Sequence, residues 1–380
     1  MTFPLAPCTI FLTLAGSQAH GTAGEGSDLD LRGVCVAPLD VRLSLVRSFE
    51  QHEGALPEDL ADAVLPHLQA HPTARRALAV KTECVIFDVA KLVGLCVSAN
   101  PNALEILFSD EADWVLASPA WRPLHANRHV FLTKKVQHTF LGYAMAQLKK
   151  IKSHRSWLLH PPSRKPTRED FGLPATGGTL SHDDRDRIER AIADKVRSWA
   201  IDSMELPRPV RVALQDRMEA FWKEVATAGD EDLEDRMRAV AAHALQLPPD
   251  VAAALQAEKK YRAALRHWEA YEAWKAQRNP ARAQLERKHG YDTKHAMHLV
   301  RLMRMGLEAL RTGDLLVRRP DAQELVAIRN GALSFDELLA EAIKLREEMD
   351  DAAGRSRLPD EVNPDVADQL VFEMIMQARA

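Results

Sequence analysis

Two short apolar runs separated by a loop of small residues constrain this chain more than any other feature. Residues 8–15 and 29–37 each have the length, apolarity and partial β-branching of a buried strand. Between them lies Gly16-Ser17-Gln18-Ala19-His20-Gly21-Thr22-Ala23-Gly24-Glu25-Gly26-Ser27, and the second run opens on Asp28-Leu29-Asp30. Alternate residues of a strand share a face, so Asp28 and Asp30 project together while Leu29 turns to the core. Paired carboxylates repel unless a cation lies between them. Mg²⁺ favours such oxygen ligands and completes its shell with substrate phosphates. Gly16 permits close backbone approach, and Ser17 offers a hydroxyl and an N–H to a phosphate. The layout suits two-metal phosphoryl chemistry. An Asp-x-Asp pair also arises by chance at solvated strand ends, but Leu31, Val34 and Val36 make this run apolar around its acids. A third acid is offered by Glu83, which opens a strand over 83–87; it could bind a second metal and take a proton from an attacking hydroxyl. Asp88 is the rival, although its place just before a helix suits a cap.

The 380 residues leave room for two or three domains. Helices are expected over 58–69, 89–98 (capped by Asp88) and 103–108 (capped by Asn102), so that α/β alternation fills roughly the first 120 residues. From there the pattern turns helical: 130–151, 183–202, 210–228, 231–245, 251–276, 293–311, 335–349 (capped by Ser334) and 367–378, with a proline-rich loop over 158–174. The expected fold class is α+β, a mixed sheet with helices followed by a mainly helical part. The expected domains are 1–125 (catalytic), 126–180 with 285–350 (a helical domain closing over the nucleotide), 181–284 (a helical insertion) and 351–380 (a C-terminal helix). The apolar run over 9–15 has no basic residue before it and is too short to span a membrane. Cys8, Cys35, Cys84 and Cys96 form no CxxC pair, which argues against a cysteine zinc site or a disulfide framework and suits a reducing cytoplasm.

Net charge is −4, so any polyanion surface must be local. Between Arg122 and Arg168 there is no Asp or Glu, only cations and histidines, among them Lys134, Lys135, His138 and His154. This span suits a triphosphate, an RNA backbone or both, unless it is an outer face paired with the acids of 183–194. In the late helix Lys294, His298, Arg301 and Met305 fall on one stripe. Such a row can reach phosphates or neutralise leaving pyrophosphate, though His298 has the neighbours of a packed core histidine. Lys134 and His138, one turn apart, share that ambiguity. Tyr261, Trp268, Tyr271 and Trp274 in 251–276 are read first as packing and second as a stacking platform for RNA.

Several segments together resemble a family. Ser27-Asp28-Leu29-Asp30-Leu31-Arg32-Gly33-Val34 after Gly16-Ser17 is similar to the signature of predicted nucleotidyltransferases of the DNA polymerase β superfamily, in the group associated with RNA ligases in bacterial RNA-repair operons. Asp88-Val89-Ala90-Lys91-Leu92, Asn100-Pro101-Asn102-Ala103-Leu104-Glu105, Phe131–Gln147, Pro166–Pro174 and Lys294–Leu302 follow in the family's order. Glu83, where relatives often carry Asp, and the loop 18–26 depart from the pattern. The resemblance implies metal-binding acids on adjacent strands, Gly16-Ser17 at a helix start holding the triphosphate, and a helical domain over the nucleotide.

The reading drawn from these features is transfer of a nucleoside monophosphate from an NTP to an acceptor hydroxyl, with pyrophosphate released. Asp28, Asp30 and Glu83 are the expected ligands of Mg²⁺ or Mn²⁺; Gly16, Ser17, Lys134, His138, Lys294, His298 and Arg301 are the expected nucleotide contacts. An RNA end is the preferred acceptor, with RNA-ligase pathway partners and no membrane. The rivals are transfer to a protein or small molecule, and a catalytically silent nucleotide- or RNA-binding module.

Overall fold

The computed structural model describes residues 3–24, 27–77, 82–175, 182–198, 208, 212, 214–219, 249–278 and 280–379. They form two compact units, one of residues 1–159 with 280–380 and one of 160–279.

The first unit is built on a sheet of five strands among the described residues: β1 (Thr9–Leu14), β2 (Leu29–Cys35), β3 (Gln51–Gly54), β4 (Thr82–Asp88) and β5 (Trp114–Ala117), in the order β3-β4-β2-β1-β5. Only β2 and β4 run parallel; the other neighbours are antiparallel. The fold is thus the mixed α+β arrangement expected. β3 and β5 escape a hydropathy reading because they are edge strands of four residues, and β3 is largely exposed.

Side-chain alternation sorts the strands onto two cores. Leu12, Leu14, Leu29, Leu31, Cys84 and Ile86 meet Leu60, Val64 and Leu68 of α2 (Glu58–Ala70) on one face. Ile10, Phe11 and Val34 face the other way, toward α3 (Val89–Val97), α4 (Pro101–Leu107) and the helices beyond. Phe11 stacks on Trp121 with ring centroids 4.0 Å apart. Between β1 and β2 stands α1 (Gly16–His20), one turn of helix. Asp88 caps α3 as expected, accepting from the Ala90 N–H. Asn100 rather than Asn102 caps α4: its side chain accepts from Asn102 and Ala103, and Pro101 fills the first helical position.

The helical layer centres on α10 (Thr293–Thr312), flanked by α6 (Val136–Leu159), α11 (Ala322–Arg329) and α12 (Phe335–Arg355). The first of these starts later than expected because 128–131 is a 3-10 turn. Helices α6 and α10 are antiparallel. His154 bonds Asp292, at the N-cap of α10, whereas a Cβ on Gly306 would sit 2.9 Å from both Phe140 and Met349. That position admits only a glycine-sized residue between three helices. Ser334 closes a full capping box with Glu337 at the start of α12. Ser334→Ala should lower unfolding free energy by about 1 kcal/mol in a urea titration. The last helix, α13 (Pro364–Gln377), packs on α3, on α5 (Arg122–Ala126) and on the turn Pro119–Trp121, so the C-terminal segment is part of the sheet unit.

In the second unit α7 (His182–Arg197) and α8 (Pro249–Ala276) are described. The helices expected over 210–228 and 231–245 lie outside the described residues except at 212 and 214–219, which are helical. Arg168 pairs with the buried Glu258 at 2.8 Å and lies over the Tyr261 ring. Farther along α8, Lys275 and Arg278 lie over Tyr271 and Trp274. A short α9 (Pro280–His289) brings the chain back to the first unit. No helix of the described residues is long and apolar enough to cross a membrane.

Candidate active site

The alternation that sends Leu29 and Leu31 to one core sends Asp30 and Arg32 to the opposite face of β2. On β4, Cys84 and Ile86 take the first core and Glu83 the second face. Asp30 and Glu83 are register partners across this parallel pair. Their backbones are therefore about 4.8 Å apart, and their carboxylates share a face. Asp28 precedes the strand and is exposed; Asp30 and Glu83 are half-buried. Burial pushes the Asp30 carboxyl above its ordinary range, and the charges of Glu83 and Asp28 push it further; Arg32 and Lys294 oppose the shift. Like charges thus crowd at one place, where a cation would relieve them.

Gly16 opens α1 with φ +58°, and a Cβ there would lie 2.3 Å from Asp30 Oδ2. The turn and the acid are in van der Waals contact because residue 16 has no side chain. Gly16→Ala would meet both a left-handed backbone, costing about 1–2 kcal/mol, and a collision with Asp30. A thermal melt should show a drop in Tm of only a few degrees, with the Asp30 carboxylate displaced. Asp88 is removed from this role: besides capping α3 it pairs with Arg42 at 2.6 Å.

Besides Gly16, Lys294 among the expected phosphate contacts lies within electrostatic range of Asp28 and Asp30. Burial lowers its pKa, as do Arg282 and Arg329, while Asp28 and Asp30 pull the other way. Arg329 also donates to the Thr22 carbonyl beyond α1 (3.3 Å). His298 lies near Lys294, but burial, reinforced by Arg301 and Lys294, pushes its pKa down to about 2. It therefore offers a phosphate no positive charge at neutral pH.

Arg301 takes a different place from the one expected. Its guanidinium is buried and pairs with Glu105 of α4, whose other oxygen lies 3.1 Å from His20 Nε2 in α1. Burial alone would raise the Glu105 carboxyl, but Arg301 and His20 outweigh it and hold the group far below the carboxylate range. Burial and then Arg301 push the His20 pKa down, against the pull of Glu105. The set ties the turn to two helices, a positioning task rather than an open phosphate contact. Arg301 Nη1 also reaches Met305 Sδ at 3.1 Å, as one helical stripe requires.

Lys134 and His138 are not brought to the acids. They precede and open α6, at the far end of α10 from Lys294, on the order of 20 Å along the axis. Lys134 pairs with Asp360 at 3.0 Å and Lys135 with Glu361 at 3.2 Å, while His138 is exposed. Much of the basic span is neutralised in this way, with Arg122 on Glu111 and Arg164 on Asp170, by acids outside 183–194. Sequence reasoning assigned no role to His20, Glu105 or Arg329. For Glu105 and Arg301 the signal was present: each is a lone charge inside an apolar helical run, Asn102–Leu107 and Leu299–Met303, and a buried charge needs a partner.

Residues 7–158 match the RNA repair pathway DNA polymerase β family. The match runs from β1 through α6 and includes Gly16, Asp28, Asp30, Glu83 and Glu105; Lys294 and His298 lie beyond it. It points to a polymerase-β-type nucleotidyltransferase of an RNA repair pathway. No curated protein and no solved structure matches the chain.

Proposed function

We propose that this chain transfers a nucleoside monophosphate from an NTP to the hydroxyl of an RNA end and releases pyrophosphate. The observation that carries the reading is the register pairing of Asp30 with Glu83, with the Gly16 backbone against Asp30 and Asp28 alongside. A set of three carboxylates, in which burial and then the charges of Glu83 and Asp28 raise Asp30, fits a hard divalent cation, Mg²⁺ or Mn²⁺. Asp28, Asp30 and Glu83 would hold such ions, which when bound neutralise the triphosphate and make the acceptor hydroxyl more acidic. Glu83 accepts the hydroxyl proton as the acceptor oxygen bonds to the α-phosphorus and the bond to the β-phosphate oxygen breaks. Ser17 and its N–H face the phosphates, and Lys294 takes up charge on the leaving pyrophosphate.

The family match favours RNA as acceptor. An RNA ligase acting on the same ends is the partner this chemistry suits. The test is incubation with α-labelled NTPs and Mg²⁺, with and without RNA bearing a free 3′ hydroxyl. Label in the RNA is the expected result. Label in protein or a small acceptor would move the acceptor to those classes, and tight NTP binding without turnover in Mg²⁺ or Mn²⁺ would mark a silent binding module.

A further inference from the structure

A second cluster of donor groups lies where α6 meets the start of α10, and the transfer chemistry does not use it. His154, Asp292 and His295 each direct one donor atom into a common space, all within 4.8 Å of one another. We propose that these three residues bind one divalent ion of the imidazole-preferring kind, zinc or a similar transition metal, at a site separate from the Asp28/Asp30/Glu83 carboxylates.

The roles of the two Asp292 oxygens are already divided. Oδ1 accepts from the His295 backbone N–H at 3.1 Å, which caps α10 and fixes the carboxylate. Oδ2 is turned toward the imidazoles, 2.9 Å from His154 Nδ1 and 3.6 Å from His295 Nε2. The carboxylate is fully buried, so its charge requires cationic company. Gln147 Oε1 lies 2.7 Å from His295 Nδ1, placed to accept a proton there. In that tautomer the lone pair is on Nε2, the atom facing Asp292. A lone pair and a carboxylate oxygen facing each other across 3.6 Å form a donor pair suited to a cation. A hydrogen-bonded amide on the outer nitrogen is also how metal-bound histidines are held in one tautomer and orientation. The Trp157 ring stacks beside His154, centroids 5.5 Å apart, and fixes the second imidazole.

Arg282 also bonds Asp292 Oδ2. It has somewhere else to go. Its Nε already lies 3.3 Å from Glu286, a buried carboxylate one turn along α9, so an entering ion can displace it toward a partner in place. Two imidazoles and one carboxylate match zinc-class preferences, and three protein ligands leave a coordination position for water or a phosphate oxygen. Mg²⁺, which takes oxygen ligands, is a poor match. Bound here, the ion would anchor the N-terminus of α10 two residues before Lys294.

The test is titration of the full-length, chelator-treated protein with Co²⁺, read by its visible ligand-field absorption and by metal content after gel filtration. The expected result is saturation at one equivalent. The bands should vanish in His154→Ala and in His295→Ala, persist in Asp30→Asn, and appear at about tenfold higher Co²⁺ in Gln147→Ala. Zn²⁺ should quench them by competition. Absence of bands in the unsubstituted protein, their survival in both histidine variants, or their loss in Asp30→Asn would overturn the proposal. The unsubstituted protein and Asp30→Asn decide the matter even if a histidine variant does not fold. The outcome is independent of the transfer reaction, whose ligands are different residues.

Discussion

Asp30→Asn should lose nucleotidyl transfer by a factor on the order of a thousand, comparable with losing one preorganised charge-stabilising group, without losing the fold. Asparagine keeps the shape and one carbonyl oxygen but removes the charge that a divalent ion needs. The same charge is a burden on the folded state, since burial, Glu83 and Asp28 all disfavour it. The variant should therefore melt at or above the Tm of the unsubstituted protein, the opposition of stability and activity typical of a strained site. Transfer of label from an α-labelled NTP and a thermal melt on the same preparation check both halves. Substantial turnover by the variant would remove Asp30 from the chemistry.

Glu105→Ala should have the larger effect on stability. It leaves the buried Arg301 guanidinium without its carboxylate and His20 Nε2 without an acceptor. Breaking such a pair costs about 3–5 kcal/mol, a fall in Tm on the order of 10 °C. Turnover should fall as well, because His20 belongs to the same helical turn as Gly16 and Ser17, and the turn would lose its tie to α4 and α10. Glu105→Gln, which keeps a carbonyl for His20, should lie between. The pH dependence follows in sign. Glu105 is held below its unfolded pKa, so its contribution is present at neutral pH and is lost as pH falls below the ordinary glutamate range toward its folded value. His20 is buried and His298 half-buried, and both have lowered pKa values, so the unfolded chain binds their protons first, from about pH 6.5 downward. Stability measured in urea should decline on acidification from that point, and Glu105→Ala should show a shallower decline below about pH 4.

The parts of the site legible in the sequence were those governed by local rules. Strand alternation placed Asp30 opposite the Leu29 and Leu31 core, and the cap preference of Asp88 before an apolar helix separated it from Glu83. The register between β2 and β4 was beyond such rules, since it depends on where two strands some fifty residues apart in sequence meet. The same holds for the cations. Helical spacing put Lys294, His298 and Arg301 on one stripe, but only packing decided that Lys294 comes within the field of Asp28 and Asp30 while Arg301 turns inward to Glu105. Lys134 and His138 lie four residues apart in sequence, with nothing local to say which end of α10 they would meet. A run without acids suggested an open basic face over 122–168, yet Glu111, Asp360 and Glu361 arrive from other segments to neutralise much of it. The short edge strands β3 and β5 were missed because four residues carry too little periodicity to register.

The most direct measurement is anomalous scattering from a crystal soaked with Mn²⁺ and a non-hydrolysable NTP. Manganese peaks should lie among the carboxylates of Asp28, Asp30 and Glu83, with the triphosphate running from the Gly16–Ser17 turn toward Lys294. A triphosphate bound away from that turn, or manganese absent from those three carboxylates while the nucleotide is in place, would contradict the assignment of this face as the catalytic one.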